Sequence, residues 1–344
     1  NIIHLVLAKI PGGPEGVKGI SLFIVPKFLV NPDGSLGDRN AVSCGALEEK
    51  MGIHGNATCV MNYDGAVGYL VGEAHKGLRT MFIMMNAARL GVAVQGLSQA
   101  EVAYQNAVAY CKERLQGRSL RGAKFPDQAA DPLIVHPDIR RMLMTARVFQ
   151  EGARALAYWA GLQVDIIRKH PDPETRRKAE DLLGLLTPVM KTYFTDMGFT
   201  SANLCLQCFG GHGYIAQWGM EQFVRDARIT QIYEGANGIQ ALDLIGRKLP
   251  ANKGRAIQFF FALIGGFCEK YEDNAALSPF IKPLTEALER LVEATQWLMQ
   301  HAISNPDNGG AVSMDYLYMM ALVTLGYQWA QVARICENQL SNPD

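Results

Sequence analysis

The sequence predicts a mostly α chain of the α+β class. A partial antiparallel β-domain is expected over residues 1–73. An up-and-down four-helix bundle follows over 74–249, and an extra C-terminal helical extension over 250–344. Three observations lead there. The first stretch holds short β-rich runs separated by Gly/Pro/Asn turn clusters. From His75 the pattern changes to long apolar-periodic segments joined by short loops, the signature of a bundle. After Leu249 three more helical segments continue beyond what a four-helix bundle needs.

In order, Ile2–Ala8, Ile20–Val25, Thr58–Tyr63 and Ala66–Val71 read as strands. The turn clusters PGGPEGVKG and NPDGSLGDRN punctuate them. They resemble half of a barrel or sandwich whose other strands are absent. The chain opens at Asn1 inside an apolar run, so a fragment of a longer protein is expected. Residues 76–114 carry Met, Leu, Ala and Val at helical spacing without Pro, and the first half is apolar nearly all round. After a Pro-containing loop, Pro137 begins a helix through Arg168, since Pro suits a first turn. Residues 174–209 form another helix, expected to be interrupted near Pro188. Helices at 252–272, 279–303 and 312–340 complete the chain.

At 344 residues the chain can bury a sizeable core. It has 33 basic and 33 acidic residues, a balance that suggests no polyanion-seeking surface. No apolar run reaches about 18 residues, so no membrane span is expected. Seven scattered Cys and no visible targeting segment suggest the cytoplasm of a bacterium, or another reducing compartment. Cys205-Leu-Gln-Cys208 has no second ligand pair at zinc spacing, and no metal is expected.

The chemistry centres on RDARITQIYEGANGIQ, Arg225 to Gln240. Glu234 is a lone carboxylate in apolar, amide-rich surroundings between Tyr233 and Gly235. Burial disfavours a carboxylate's charged form, which suits a general base. Equally, Glu234 could open a helix over 235–248 and merely complement its dipole. The Gly-rich QCFGGHGY, Gln207 to Tyr214, could cradle a phosphate or simply stop a helix. His212 within it could be an acid or a ligand, but reads as a loop residue. Arg89, in the apolar helix MMNAARLGVAVQG, needs a partner if buried, and Glu234 or a ligand is the natural candidate.

QIYEGANGIQALDLIGRKL resembles the active-site segment of the acyl-CoA dehydrogenases, in which the Glu of a YEG motif is the base. Four other segments resemble that family and fall in its order: KMGIHGNATCVMNYDGAVGYLVGEAHKGL, MMNAARLGVAVQG, CKERLQGRS and QCFGGHGY. The conjunction is far more specific than any piece, and it implies an FAD flavoprotein. By resemblance, Glu234 takes the pro-R Cα proton of an acyl-CoA thioester, and its own backbone N–H helps to polarise the carbonyl. A Cβ hydride passes to flavin N5, leaving a trans-2-enoyl-CoA. Tyr233, Gly235, Arg89 and Asn86 would contact substrate. Arg114, Gln116, Gln207, Gly210, Gly211 and Asn237 would contact FAD, the Gly-rich loop reaching that of a neighbouring subunit. An electron-transfer flavoprotein would accept electrons, and the protein would form a homodimer or homotetramer.

The sequence also departs from the family. The aromatic residue expected before Gly117 is missing, which bears on the loop around Arg114. Ala236 and Gly238 stand where relatives place polar side chains, and only Asn237 is retained. The segment after Leu249 resembles the long branch that includes 3-(methylthio)propanoyl-CoA dehydrogenases. Two rival readings remain. A nucleic-acid-associated alkylation-response flavoprotein of the same fold would carry a basic C-terminal region. Residues 249–344 hold 6 Lys/Arg and 10 Asp/Glu, a net of −4, so no nucleic-acid partner is expected. A non-catalytic helical oligomerisation fragment is the other. The isolated chain is expected to bind FAD poorly and to be inactive.

Overall fold

The computed structural model describes residues 1–341. The chain forms two compact units, divided between Ala88 and Arg89. The first holds seven short strands: β1 (Ile3–Lys9), β2 (Ile20–Pro26), β3 (Phe28–Val30), β4 (Leu36–Arg39), β5 (Ser43–Leu47), β6 (Cys59–Asn62) and β7 (Tyr69–Val71). They make three antiparallel sheets, ordered β1-β2-β7, β3-β4 and β5-β6. Ile3 pairs with Pro26 and Lys9 with Ile20; Leu22 pairs with Val71. A buried side chain, Asn40, ties loops to this sheet. Its amide donates to Pro26 O (2.8 Å) and Val67 O (2.9 Å), and its Oδ1 accepts from Val67 N at 2.9 Å. Strands β3, β4 and β5 escape sequence reading because they are short: β3 is only Phe-Leu-Val, β4 carries Gly, Asp and Arg, and β5 carries Ser and Gly rather than an alternating apolar run. The N-terminal part of α1 (Gly77–Glu113), as far as Ala88, belongs to this unit. A Cβ on Gly77 would stand 2.3 Å from Ser21 C, so only Gly allows that approach.

The second unit is helical. It comprises the rest of α1, then α2 (Pro137–Lys169), α3 (Pro173–Cys208), α4 (Met220–Arg228), α5 (Asn237–Asp243), α6 (Arg255–Lys270), α7 (Ser278–Ser304) and α8 (Pro306–Ser341). Pro137 and Pro173 occupy first turns, where a missing N–H costs nothing. Asp172 caps α3 by accepting from Glu174 N and Thr175 N. The interruption expected near Pro188 does not occur; α3 runs unbroken through it. The segment from Leu185 to Thr195 is buried on every side, and that packing outweighs the lost hydrogen bond. The extension also shares the bundle's core. Leu97, Phe149, Leu156, Leu185 and Phe194 form one cluster with Phe260, Ile264, Leu291, Leu317 and Met320. Helices α1 and α3 cross through glycines: a Cβ on Gly96 would lie 2.6 Å from Phe194 O, and one on Gly198 2.5 Å from Gly96 O. Among the described residues no helix is long and apolar enough to cross a membrane.

Candidate active site

After α4 a tight turn over Ile229–Gln231 leads into Tyr233, Glu234 and Gly235. Glu234 has φ 55° and Gly235 φ 91°, so two consecutive residues take the left-handed region. For a Glu this costs about 1–3 kcal/mol, and such residues persist only where their surroundings hold them. Here α3 does so. Lys191, fully buried, donates from Nζ to Gly235 O and to Asn237 Oδ1, both at 2.8 Å. Gln240 Nε2 adds a longer bond to Gly235 O, 3.3 Å. Asn237 Nδ2 donates to Asp196 Oδ1 at 2.7 Å and to Thr195 Oγ1 at 3.0 Å. Asp196 accepts in turn from Gln231 (2.6 Å) and from the Tyr318 hydroxyl of α8 (2.7 Å). The turn is thus held by a connected polar network, which fixes geometry more tightly than separate bonds would.

Burial pulls the Lys191 ammonium down to about 8; the nearby Arg89 pushes the same way, while Asp196 and Glu234 oppose it. It is therefore largely protonated at neutral pH. The Glu234 side chain is half-buried. Among the described residues the backbone N–H of Glu234 donates to no protein acceptor. One residue therefore offers a carboxylate and an unengaged amide on a rigid turn.

Helix α1 lines the turn. Tyr233 OH donates to Gln95 Oε1. Arg89, 3% exposed, makes an ion pair with Asp243 of α5 at 3.2 Å, where the sequence had named Glu234 or a ligand as its natural partner. Asp243 also accepts from Arg247 at 2.6 Å. The Arg89 Nη2 atom lies 3.5 Å from the point where a Cβ on Gly235 would stand, so the guanidinium borders the turn. Asn86 is exposed, three residues earlier on α1. Asn237 has its amide engaged inward on Lys191, Thr195 and Asp196. Ala236 and Gly238 are exposed.

A second feature lies at the far end of α1. Arg114, Gln116, Gln207, Gly210 and Gly211 border one groove of about 590 Å³, floored by Leu133 and Cys208. The exposed side chains of Arg114, Gln116 and Gln207 have no side-chain hydrogen bond among the described residues. Gly210 has φ 56°, which opens the turn with little steric cost. His212 stacks on Trp218 at 4.4 Å, and its Nδ1 lies 2.9 Å from Tyr110 OH. The loop expected to be disturbed by the missing aromatic residue is organised by Asp131 instead. This buried carboxylate accepts from Ser119 N (2.8 Å), Phe125 N (2.8 Å) and Lys124 N (3.0 Å), with Arg118 at 3.4 Å. The Ser119 N–H, against the opposing pull of burial, and then the other donors hold it at about 2. Gln116 N and Asp131 N pair with Asp131 O and Gly117 O, both at 2.9 Å, closing the loop under Arg114.

The CxxC cysteines are buried, beside Cys111, in a small apolar cluster. Burial pushes the Cys205 thiol up to about 12, unfavourable for thiolate chemistry. Among the described residues no group of three or more His, Cys, Asp or Glu could hold a metal ion.

Residues 75–249 match the family model described as acyl-CoA dehydrogenase, C-terminal domain, and residues 260–344 that described as acetyl-CoA dehydrogenase C-terminal like. The chain belongs to the acyl-CoA dehydrogenase family. It is 41% identical over 342 residues to a 3-methylmercaptopropionyl-CoA dehydrogenase of Ruegeria pomeroyi, covering 99% of this chain and 58% of that protein. Its fold is similar to that of Caenorhabditis elegans ACDH-11, solved with C11-CoA: TM-score 0.79, 22% identity, 95% of this chain and 52% of the other. It is similar also to a Bacillus anthracis acyl-CoA dehydrogenase complexed with FAD: TM-score 0.75, 20% identity, 99% of this chain and 55% of the other. The chain thus spans little more than half of each of these family members.

Four residues of this acyl-CoA dehydrogenase chain escape sequence reading: Lys191, Asp196, Asp131 and Asp243. Lys191 had a signal. It lies in TPVMKTYF, after a proline and among apolar neighbours, where a cation must find partners. The other three are ordinary carboxylates in sequence and become special only through long-range contacts.

Proposed function

We propose that this chain carries the base and part of the flavin-binding surface of an FAD-dependent acyl-CoA dehydrogenase. The reaction is α,β-dehydrogenation of an acyl-CoA thioester to the trans-2-enoyl-CoA. One observation carries this reading: a left-handed turn presents the Glu234 carboxylate together with the unengaged Glu234 N–H, and a buried network holds it. Glu234 abstracts the pro-R Cα proton. Its N–H donates to the thioester oxygen, where negative charge develops as that proton leaves. Donors fixed beforehand need no reorganisation at that moment, which is why a strained but rigid turn suits the task. Arg89, Tyr233 and Gly235 border the base and bind the acyl-CoA; Asn86 is a substrate contact by resemblance to the family alone.

The free guanidinium and amide donors around the Gly210–Gly211 turn suit a diphosphate-bearing flavin. Arg114, Gln116, Gln207, Gly210 and Gly211 would hold FAD there, in a subunit partner's site by the family's arrangement, in a homodimer or homotetramer. When bound, FAD supplies the acceptor for the Cβ hydride. An electron-transfer flavoprotein is the redox partner by the same resemblance. Asn237 fixes the turn and so acts one step away from the flavin.

The 41% identical relative directs the substrate class to a short thioether acyl-CoA, 3-methylmercaptopropionyl-CoA. The test is a turnover screen of the protein carrying this chain against straight-chain acyl-CoAs of graded length and this thioether. The thioether should give the highest kcat/KM. A preference for long straight chains overturns the substrate assignment, and no turnover of any acyl-CoA overturns the activity.

A further inference from the structure

We propose that Lys191 is a positioning residue for the base, holding the Glu234 turn through the Gly235 carbonyl and the Asn237 side chain. This rests on the function proposed above. A fully buried lysine in the middle of a helix is rare unless paired, and this one has specific partners. Its Nζ donates to the peptide oxygen that follows Glu234 and to Asn237 Oδ1, each at 2.8 Å. Both acceptors are neutral, so neither bond cancels the ammonium charge. The first bond fixes the peptide plane between the two left-handed residues and the start of α5. The second fixes Asn237, the first residue of that helix.

Two charged neighbours are engaged elsewhere. Asp196 lies one turn on along α3 and is shared with Gln231, Asn237 and Tyr318 of α8. Arg89 of α1 is drawn to Asp243 of α5. With both Lys191 bonds in place the turn presents the Glu234 carboxylate and N–H at fixed positions, so their loss should lower kcat more than it raises KM. A purely structural lysine would alter thermal stability and leave that split where it is.

The experiment compares kcat and KM for wild type, Lys191→Met and Lys191→Arg, in the protein carrying this chain, at a temperature where circular dichroism shows each to be folded. Lys191→Met should lower kcat about tenfold or more, with a smaller change in KM. Lys191→Arg keeps donors at this position, so it should recover part of the lost kcat. A folded Lys191→Met with kcat within about twofold of wild type overturns the proposal. If Lys191→Met is insoluble, Lys191→Gln is judged by the same split between kcat and KM. Failure of both to fold assigns Lys191 to fold stability alone and also overturns it. The two readings fail separately: an inactive wild type refutes the dehydrogenase function, and an active wild type with an unchanged kcat in the variant refutes only the role of Lys191.

Discussion

Gly235→Ala tests whether the active-site turn is as constrained as its geometry indicates. Gly235 has φ 91°, where an L side chain costs about 1–2 kcal/mol. The new Cβ would stand 2.2 Å from Gln240 Nε2, so that amide must move. Gln240 is fully buried, and moving it breaks its 3.3 Å bond to Gly235 O, worth about 1 kcal/mol. The two effects sum to roughly 2–3 kcal/mol of lost stability. A displacement of the Glu234 carboxylate by about 1 Å would also lower kcat/KM by about 10²-fold. Urea denaturation followed by circular dichroism measures the first, and steady-state turnover the second. Gly238→Ala is the control: it lies three residues away, is exposed, and has open space where the Cβ would go. It should be neutral or stabilising by up to about 1 kcal/mol, as Ala is the better helix former. If Gly235→Ala matches Gly238→Ala within about 0.5 kcal/mol, the turn is not held as described.

Two further perturbations address the supporting contacts. Asp243→Asn breaks a buried ion pair with Arg89 and should destabilise by about 3 kcal/mol in urea denaturation; an effect under about 1 kcal/mol would show the pair to be dispensable. The Asp131 carboxyl, held at about 2, lies below its ordinary range of about 4. Its stabilising effect is therefore complete above the ordinary value and lost as pH falls from about 4 through about 2. Asp131→Asn should flatten acid unfolding in that window and weaken FAD binding about tenfold, measured by flavin release on dilution. Unchanged acid unfolding would contradict the role of this carboxylate.

The helices were the most legible part of the sequence. Apolar periodicity with flanking prolines placed α2 within one residue of its observed end, and α1 within one at each end. Pro188 misled, because a local rule about proline ignores burial on every side. The short strands β3 to β5 were illegible for the opposite reason: they are set by pairing partners rather than by their own composition. At the candidate site, the motifs led to Glu234 and to the five residues that the structure brings to one groove. What holds them was not visible. Lys191 meets the turn from 44 residues away, and Tyr318 reaches Asp196 across 122. Contacts of that sequence separation leave no local pattern. Asp131 is the clearest case, since a carboxylate does the organising where the family's aromatic residue was missed.

The most direct test of the central claim is single-turnover flavin reduction by 3-methylmercaptopropionyl-CoA, comparing wild type with Glu234→Gln in the protein carrying this chain. The substitution preserves size and removes the proton acceptor. The flavin of wild type should bleach rapidly on mixing, while Glu234→Gln should keep its bound FAD and reduce it at least about 10³-fold more slowly. Reduction of the Glu234→Gln flavin at a rate near wild type would contradict the assignment of Glu234 as the base.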